Sequence, residues 1–178
     1  MAETASALPV DLGLRRNRSI AFVVAFLIFL FDQAVKWLVT YPLKLEQREH
    51  IDLLPFFDLQ WVENRGVSLG LMPADSELGR WLLVGMTAGI ATFVAIWLWK
   101  ERRRQDSIAL AMILGGALGN IVDRVRFGYV VDYADFHIGG WQPLLVVNIA
   151  DAAITIGVLL LLVRALLMRD GKGSKKEA

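Results

Sequence analysis

The stretch WLLVGMTAGIATFVAIWLW, from Trp81 to Trp99, carries no charged side chain over its whole length. A helix needs about 20 predominantly apolar residues to cross the roughly 30 Å hydrocarbon core of a bilayer, so this stretch predicts a transmembrane helix. Comparable apolar runs lie on both sides of it. We place the four predicted spans at residues 19–40, 78–99, 107–125 and 144–168. The sequence therefore predicts an α-helical membrane protein with four transmembrane helices.

The composition of the 178 residues agrees with a membrane protein, because 56% are hydrophobic, against about 45–50% in soluble domains. The chain has no cysteine, which excludes disulfide bonds, thiolate metal sites and a cysteine nucleophile. Its two histidines, His50 and His137, are too few for a histidine-rich metal site. A net charge of +1 provides no strong field for nucleic acid, so we expect no nucleic-acid partner.

Lysine and arginine are distributed unevenly between the predicted connections. They cluster before the first span, between the second and third spans, and after the fourth, whereas the longer connections 41–77 and 126–143 hold few of them. The positive-inside rule then places both termini in the cytoplasm and both longer connections outside. We accordingly expect residues 1–18 and 169–178 to be solvated cytoplasmic tails on either side of a membrane domain at 19–168.

The first outer connection contains a strand-like pattern. Phe57-Asp58-Leu59-Gln60-Trp61 alternates apolar and polar side chains, as a strand on a half-buried surface does. A weaker pattern of the same kind extends from Phe127 to Phe136. We therefore expect a small extracytoplasmic β-sheet whose aromatic residues face the membrane.

Several polar residues lie inside the predicted spans at one shared depth, under the outer leaflet. A charge at the bilayer centre costs about 2.5–3.5 kcal/mol, so such groups should face one another or a wet cavity rather than lipid. The small-residue patterns Gly115-x-x-x-Gly119 and Ala153-x-x-x-Gly157 predict that the third and fourth spans pack closely. The polar residues concerned are Asp32, Lys36, Asn120, Asp123, Arg124, Asn148 and Asp151.

The spacing of these polar residues favours contacts within and between helices. Asp32 and Lys36 are four residues apart and can pair on their own helix, although positioning of a substrate explains them equally well. Arg124 fits a structural clamp on loop carboxylates, or a contact with lipid phosphate, better than a catalytic group. Asn148 and Asp151 share one face of the fourth span, with Asp151 about seven residues inside it, or ~10 Å along the helix. A lone carboxyl on an apolar helix face is functional by default.

A second carboxylate near Asp151 would allow acid–base chemistry. Asp132 lies in the outer loop just beyond the third span and can fold back onto the mouth of the cavity around Asp151. Two carboxylates that share a site cannot both ionise easily, so one can act as a base toward water while the other acts as an acid. This is the chemistry of an aspartic peptidase. Asp135 competes with Asp132 for the role, and spacing alone does not decide between them.

Other chemistries fit the sequence less well. Gly66-Val-Ser-Leu-Gly70 matches the G-x-S-x-G pattern of serine hydrolases, but the strand–turn–helix context and a Ser/His/Asp order are missing. A metal site formed by Asp123 with Asp151 or Asp132 has few ligands. A small transporter or proton-relay subunit would need polar residues through the full membrane depth, and the inner halves of the spans are nearly free of them. A non-catalytic assembly factor would tolerate carboxamides at both aspartates.

Five segments, in order along the chain, resemble those of bacterial lipoprotein signal peptidase, also called signal peptidase II. The resemblance extends over nearly all of residues 19–168. Each segment alone is a modest signal, but five in order on four spans are specific. The segments are Asp32-Gln-Ala-Val-Lys36, Asn64-Arg-Gly-Val-Ser-Leu-Gly70, Gly115-Gly-Ala-Leu-Gly-Asn-Ile-Val-Asp-Arg124, Val130-Val-Asp-Tyr-Ala-Asp-Phe136 and Asn148-Ile-Ala-Asp151.

The resemblance implies an inner-membrane aspartic endopeptidase with four transmembrane helices and an outer β-cradle. Such an enzyme removes the signal peptide of a prolipoprotein just before the cysteine that carries diacylglyceryl, and it needs no metal or organic cofactor. The implied partners are lipid-modified prolipoproteins, membrane lipid and globomycin-type inhibitors, and we expect a monomer. By match, Asp132 and Asp151 are the catalytic pair. The matching supporting or substrate-groove positions are Asp32, Lys36, Asn64, Gly116, Asn120, Asp123, Arg124, Asn148 and Ala150.

Three positions depart from the family pattern. Leu69 stands where an aromatic residue is commoner, Val67 where alanine is commoner, and Val147 where phenylalanine is frequent. These differences bear on the shape of the groove and on inhibitor fit rather than on the chemistry.

Overall fold

The structure is a computed structural model, which describes residues 9–66, 77–138 and 145–173. Within those ranges four helices are long and apolar enough to cross a membrane, as the sequence predicts. The elements in chain order are α1 (Pro9–Thr40), α2 (Leu45–Arg48), β1 (His50–Leu54), β2 (Phe57–Asn64), α3 (Glu77–Lys100), α4 (Arg104–Phe127), β3 (Val130–Phe136) and α5 (Ile149–Gly173).

Helix α4 lies at the centre of the bundle and packs against α1, α3 and α5. Of its apolar span 56% is buried, against 17–22% in the other three. A Cβ atom on Gly115 would lie 2.5 Å from the carbonyl oxygen of Ala25 in α1, and one on Gly157 of α5 would lie 2.7 Å from that of Ala109. Because a methyl group fits neither position, glycine sets these helix–helix distances. The predicted close packing of the third and fourth spans is confirmed.

The half of the bundle farther from the sheet is filled by small and branched apolar side chains. They come from the middle of α1, the first half of α4 and the second half of α3, which pack together. We call this group the apolar plug. Its buried members are Ala21, Ala25, Ala91, Val94, Leu98, Leu110, Ala111 and Leu114.

The three strands form an antiparallel sheet in the order β1–β2–β3, at the end of the bundle where α1 and α4 finish. Asp52 of β1 lies opposite Asp58 of β2, and Asp58 lies opposite Asp135 of β3. The expected sheet and its two strands are confirmed, whereas β1 and the short helix α2 have no counterpart in the prediction. The buried side chains that join the sheet to the end of α1 are Val39, Leu45, Leu59, Val131 and Tyr133.

The terminal helices extend beyond the predicted spans. Helix α1 begins at Pro9 and α5 continues to Gly173, so the described parts of the tails expected at 1–18 and 169–178 are helical. Good helix formers such as leucine and arginine occupy these turns, and Arg18 makes a cation–π contact with a tryptophan of α3. The positions named above that lie outside the described residues are 1–8, 174–178, Val67, Ser68, Leu69 and Gly70, together with 71–76 and 139–143 of the outer connections.

The start of α5 corrects the predicted depth of Asp151. The helix begins at Ile149 rather than near residue 144, because Oδ1 of Asn148 accepts the N–H of Asp151 at 2.9 Å and caps the helix. Asp151 is therefore the third residue of α5, in its first turn, and not seven residues inside a helix. Asn148 precedes the helix, so the predicted stripe of Asn148 and Asp151 on one helix face is wrong.

Candidate active site

Asp132 and Asp151 are joined at the junction between the sheet and the helices. Strand β3 carries Asp132, and the first turn of α5 carries Asp151. Nδ2 of Asn148 donates to Oδ1 of Asp132 at 2.6 Å, while Oδ1 of Asn148 accepts the N–H of Asp151. One asparagine therefore contacts both aspartates and holds β3 beside the start of α5.

Two further asparagines bind the same pair of carboxylates. Nδ2 of Asn64, at the end of β2, donates to Oδ2 of Asp132 at 3.0 Å. Nδ2 of Asn120, on α4, donates to Oδ1 of Asp151 at 2.8 Å. Asn148 also donates to Oδ1 of Asn120 at 3.3 Å, which closes the network. Two strands and two helices thus fix the positions of the two carboxyl groups.

The environment of Asp132 favours its protonated form. The residue is only 2% exposed. Burial, and then the negative charge of Asp151, raise the pKa of Asp132 from 3.8 to about 6, against the opposing effect of the Asn64 and Asn148 amides. A carboxyl group that exchanges its proton near neutral pH is suited to general acid–base catalysis.

A buried ion-pair network adjoins the two aspartates. Nζ of Lys36 lies 2.6 Å from Oδ2 of Asp123 and 3.0 Å from Oδ2 of Asp32, which confirms the predicted pair within α1. It also donates to Oδ1 of Asn120 at 3.1 Å. Oδ1 of Asp32 accepts the N–H of Ala150 at 3.0 Å. The network therefore links α1 and α4 to the first turn of α5.

Gly116 and Ala150 set the spacing between α4 and α5 at this level. A Cβ atom on Gly116 would collide with the carbonyl oxygen of Ala150, which is itself fully buried. The close approach brings Asn120, one turn further along α4, to the carboxylate of Asp151. These two predicted site residues act through packing and the backbone rather than through side-chain chemistry.

Gln33, which was not among the predicted site residues, and Gly119, which was predicted only as a packing residue, support the ion-pair network. Nε2 of Gln33 donates to Oδ1 of Asp123 at 2.9 Å and to the carbonyl oxygen of Gly119 at 3.3 Å. Gly119 leaves room for Asp32, since a Cβ atom there would collide with Oδ2 of that side chain. Gln33 follows Asp32 and Gly119 precedes Asn120 in the sequence, and this adjacency to predicted site residues could have indicated both.

Arg124 supplies positive charge at the same end of α4. The carboxylates that act on it most strongly are those of Asp151 and then Asp132. Its Nε is buried without a hydrogen-bond partner among the described residues. A Cβ atom on Gly66 would lie 3.3 Å from its Nη2, so the turn after β2 closely approaches the guanidinium. Arg80 of α3, which the sequence analysis missed, donates to the carbonyl oxygen of Arg124 at 2.9 Å and fixes this end of the helix.

Strand geometry separates Asp132 from Asp135. The two residues are three positions apart on β3, and successive side chains of a strand point to opposite faces. Asp132 accordingly meets the asparagines of the junction, whereas Asp135 lies opposite Asp58 in the sheet. Of these two carboxylates, the structure brings Asp132 to Asp151.

Comparison with known proteins gives the family. The family model described as Signal peptidase (SPase) II matches residues 24–167. The chain belongs to the signal peptidase II family. The lipoprotein signal peptidase of Rhizorhabdus wittichii is 53% identical over 156 residues, covering 88% of this chain and 91% of that protein. The lipoprotein signal peptidase of Sphingopyxis alaskensis is 54% identical over 151 residues, covering 85% and 87%.

Solved structures agree with this assignment. A bacterial membrane enzyme determined by the in meso method at 2.3 Å resolution matches with a TM-score of 0.72 and 26% identity, over 86% of this chain and 92% of that one. Another, at 1.9 Å resolution, gives a TM-score of 0.71 and 27% identity, over 83% and 93%. This member of the signal peptidase II family is therefore a multi-pass membrane protease, and a transporter or proton relay is not favoured.

Proposed function

We propose that this protein is an aspartic endopeptidase that removes the signal peptide from diacylglyceryl-modified prolipoproteins, cleaving just before the lipidated cysteine. The observation that supports the aspartic mechanism is the amide network shared by Asp132 and Asp151, in which Asn148 contacts both. The substrate class is supported by the relatives that carry the name lipoprotein signal peptidase. No metal or organic cofactor takes part in the cleavage.

Cleavage starts with a water molecule held between the two carboxyl groups. Asp151, acting as the base, accepts a proton from this water as it attacks the scissile carbonyl carbon. Asp132, whose pKa of about 6 leaves a fraction of the carboxyl groups protonated near neutral pH, donates that proton to the carbonyl oxygen. When the tetrahedral intermediate collapses, the C–N bond breaks, Asp151 passes its proton to the leaving amine and Asp132 recovers a proton from the hydroxyl. The pair thus ends the cycle with the single shared proton it began with.

The surrounding residues keep the pair in position for this cycle. Nζ of Lys36 donates to Oδ1 of Asn120, so the amide nitrogen of Asn120 faces the carboxylate of Asp151. The guanidinium of Arg124 supplies positive charge beside Asp151 and Asp132, as a clamp on these carboxylates would. Asn64 and Asn148 hold Asp132 between β2 and α5.

The proposed membrane arrangement is supported by the distribution of lysine and arginine between the connections and by the position of the pair at the sheet end of the bundle. The protein lies in the bacterial inner membrane with both termini in the cytoplasm and the active site at the outer face. The signal-peptide helix enters sideways from the bilayer while the diacylglyceryl chains stay in lipid. The outer connection 41–77 covers the cleavage site, globomycin-type inhibitors bind between the carboxylates, and the monomer is sufficient for activity.

The test is cleavage of a diacylglyceryl-modified prolipoprotein by the purified protein in lipid, with and without a chelator. We expect Asp132→Asn and Asp151→Asn each to lose cleavage while keeping the elution profile and helix content of the wild type. Asp135→Asn is the matched control, because it changes the neighbouring aspartate of the same strand and should retain cleavage.

Cleavage at a near wild-type rate by Asp132→Asn or Asp151→Asn would overturn the aspartic assignment. Cleavage that stops with chelator would move the chemistry to a metal. An intact wild type that cleaves neither this substrate nor its unlipidated form would favour the assembly-factor alternative.

A further inference from the structure

The sheet brings together both histidines of the chain, which are 87 positions apart in sequence. His50 and Asp52 point to the same side of β1, because they are two residues apart on a strand. Asp52 lies directly opposite Asp58 on β2. His137 follows β3 and reaches Asp58 from the other side, with its Nε2 3.6 Å from Oδ2 of that carboxylate. None of these four residues belongs to the dyad or its network.

The distances among three of these side chains suit a metal ion. Nε2 of His50 lies 2.7 Å from Oδ1 of Asp52 and 3.3 Å from Oδ2 of Asp58. The three ligand atoms all lie within 4.8 Å of one another. Ligand atoms about 2.1 Å from a tetrahedral zinc ion are roughly 3.4 Å apart, so small side-chain rotations would complete the geometry.

The charges on this face also favour a bound cation. Asp58 is only 7% exposed, and a second carboxylate stands directly across from it on β1. Like charges at opposite positions of an antiparallel pair destabilise the sheet. Among the residues that the structure describes, Asp52 and Asp58 form ion pairs with histidine and with neither lysine nor arginine.

We propose that His50, Asp52 and Asp58 bind a divalent transition-metal ion of the zinc class, through Nε2, Oδ1 and Oδ2 respectively. Mixed imidazole and carboxylate ligands favour zinc over magnesium or calcium, which prefer oxygen alone. The exposed Asp52 and the open cleft beside it leave the fourth position to water. His137 lies beside the ligating carboxylate of Asp58, with its Nε2 3.6 Å from Oδ2, in the place that outer partners of metal ligands occupy.

The ion would join β1 to β2 and stiffen the outer sheet without entering the cleavage reaction. Asp132 and Asp135 are three positions apart on β3, so their side chains lie on opposite faces of the sheet. Asp135 shares its face with Asp58, and the catalytic pair lies on the other face. The metal site is thus independent of the proposed aspartic mechanism. Its test measures binding rather than cleavage.

The experiment titrates zinc into metal-free protein, with any affinity tag removed, and follows binding by calorimetry and cobalt substitution by visible absorption. We expect one ion per chain and a cobalt spectrum typical of four-coordinate sites. His50→Ala and Asp52→Asn should weaken binding by at least about a hundredfold, and His137→Ala by about tenfold. Glu46→Gln removes an exposed carboxylate of α2 on the same side of the molecule and should leave binding unchanged.

Both ligand variants alter side chains that are substantially exposed, so the fold should survive them. Absence of saturable zinc binding by the wild type would refute the site. So would equal affinity in the wild type, His50→Ala and Asp52→Asn.

Discussion

Removing the side chain of Asn64 should shift the pH dependence of cleavage in a defined direction. Nδ2 of Asn64 donates a hydrogen bond to the carboxylate of Asp132 at 3.0 Å, and this bond stabilises the ionised form. In Asn64→Ala the ionised form loses that support, while the contact from Asn148 remains. The pKa of Asp132, already raised to about 6 by burial and the nearby Asp151, should therefore rise further.

The size of the shift follows from the strength of the bond. A hydrogen bond to a charged group contributes about 1.5–3 kcal/mol, and one pKa unit corresponds to about 1.4 kcal/mol. The pKa of Asp132 should thus increase by about one to two units. Since Asp132 acts in its protonated form, cleavage by the wild type should fall as the pH rises through about 6, and cleavage by Asn64→Ala should fall at a pH higher by the same one to two units.

The assay is kcat/KM for a lipidated prolipoprotein peptide as a function of pH, because this ratio reports the ionisation of the free enzyme. Gln47→Ala, an exposed amide of α2, is the control and should keep the wild-type profile. The maximal rate of Asn64→Ala is expected to drop. The test of the prediction is the pH at which kcat/KM falls on the alkaline side of the profile. A limb that stays in place, or moves to lower pH, would refute the role given to Asp132.

Three other substitutions probe stability, each by thermal denaturation in detergent. Asp132→Asn should stabilise the protein at neutral pH. The pKa of Asp132 is 3.8 ordinarily and about 6 in the folded protein, so ionisation of this carboxyl lowers the free energy of unfolding by about 3 kcal/mol in all as the pH rises through this window. A variant that melts below the wild type would contradict this. Lys36→Met should destabilise by about 3–5 kcal/mol, because two buried aspartates lose their counter-ion. An unchanged melting temperature would contradict this. Gly116→Ala should cost about 1–3 kcal/mol by overpacking, whereas Gly89→Ala, with open space around the new methyl group, should be neutral or slightly stabilising; equal effects would contradict the packing argument.

Hydropathy and charge were sufficient to predict the four helices, since a bilayer imposes a length and an apolar composition on each span. Alternation was sufficient for β2 and β3. It did not reveal β1, because His50 to Leu54 is short and lies mostly exposed at the sheet edge. The sequence placed the polar residues at one end of the bundle, and the structure does bring Asp132 and Asp151 together through their asparagines.

The features that the sequence patterns did not predict depend on side-chain hydrogen bonds and on the register of the strands. The depth of Asp151 was wrong because the cap supplied by Asn148 starts α5 later than hydropathy indicates. The choice between Asp132 and Asp135 required strand geometry on β3. The convergence of His50 and His137 depends on the pairing of three strands, which no local pattern records.

The apolar plug has a consequence for the proton that the proposed reaction moves. Alanine, valine and leucine side chains close the half of the bundle farther from the sheet and offer no hydrogen-bonded chain of groups through it. The proposed carboxyl pair should therefore exchange protons only with the water at the sheet end of the bundle. The rate of hydrolysis would then depend on the pH of that compartment. It would not depend on the electrochemical proton gradient across the bilayer, unlike the activity of a proton-coupled transporter.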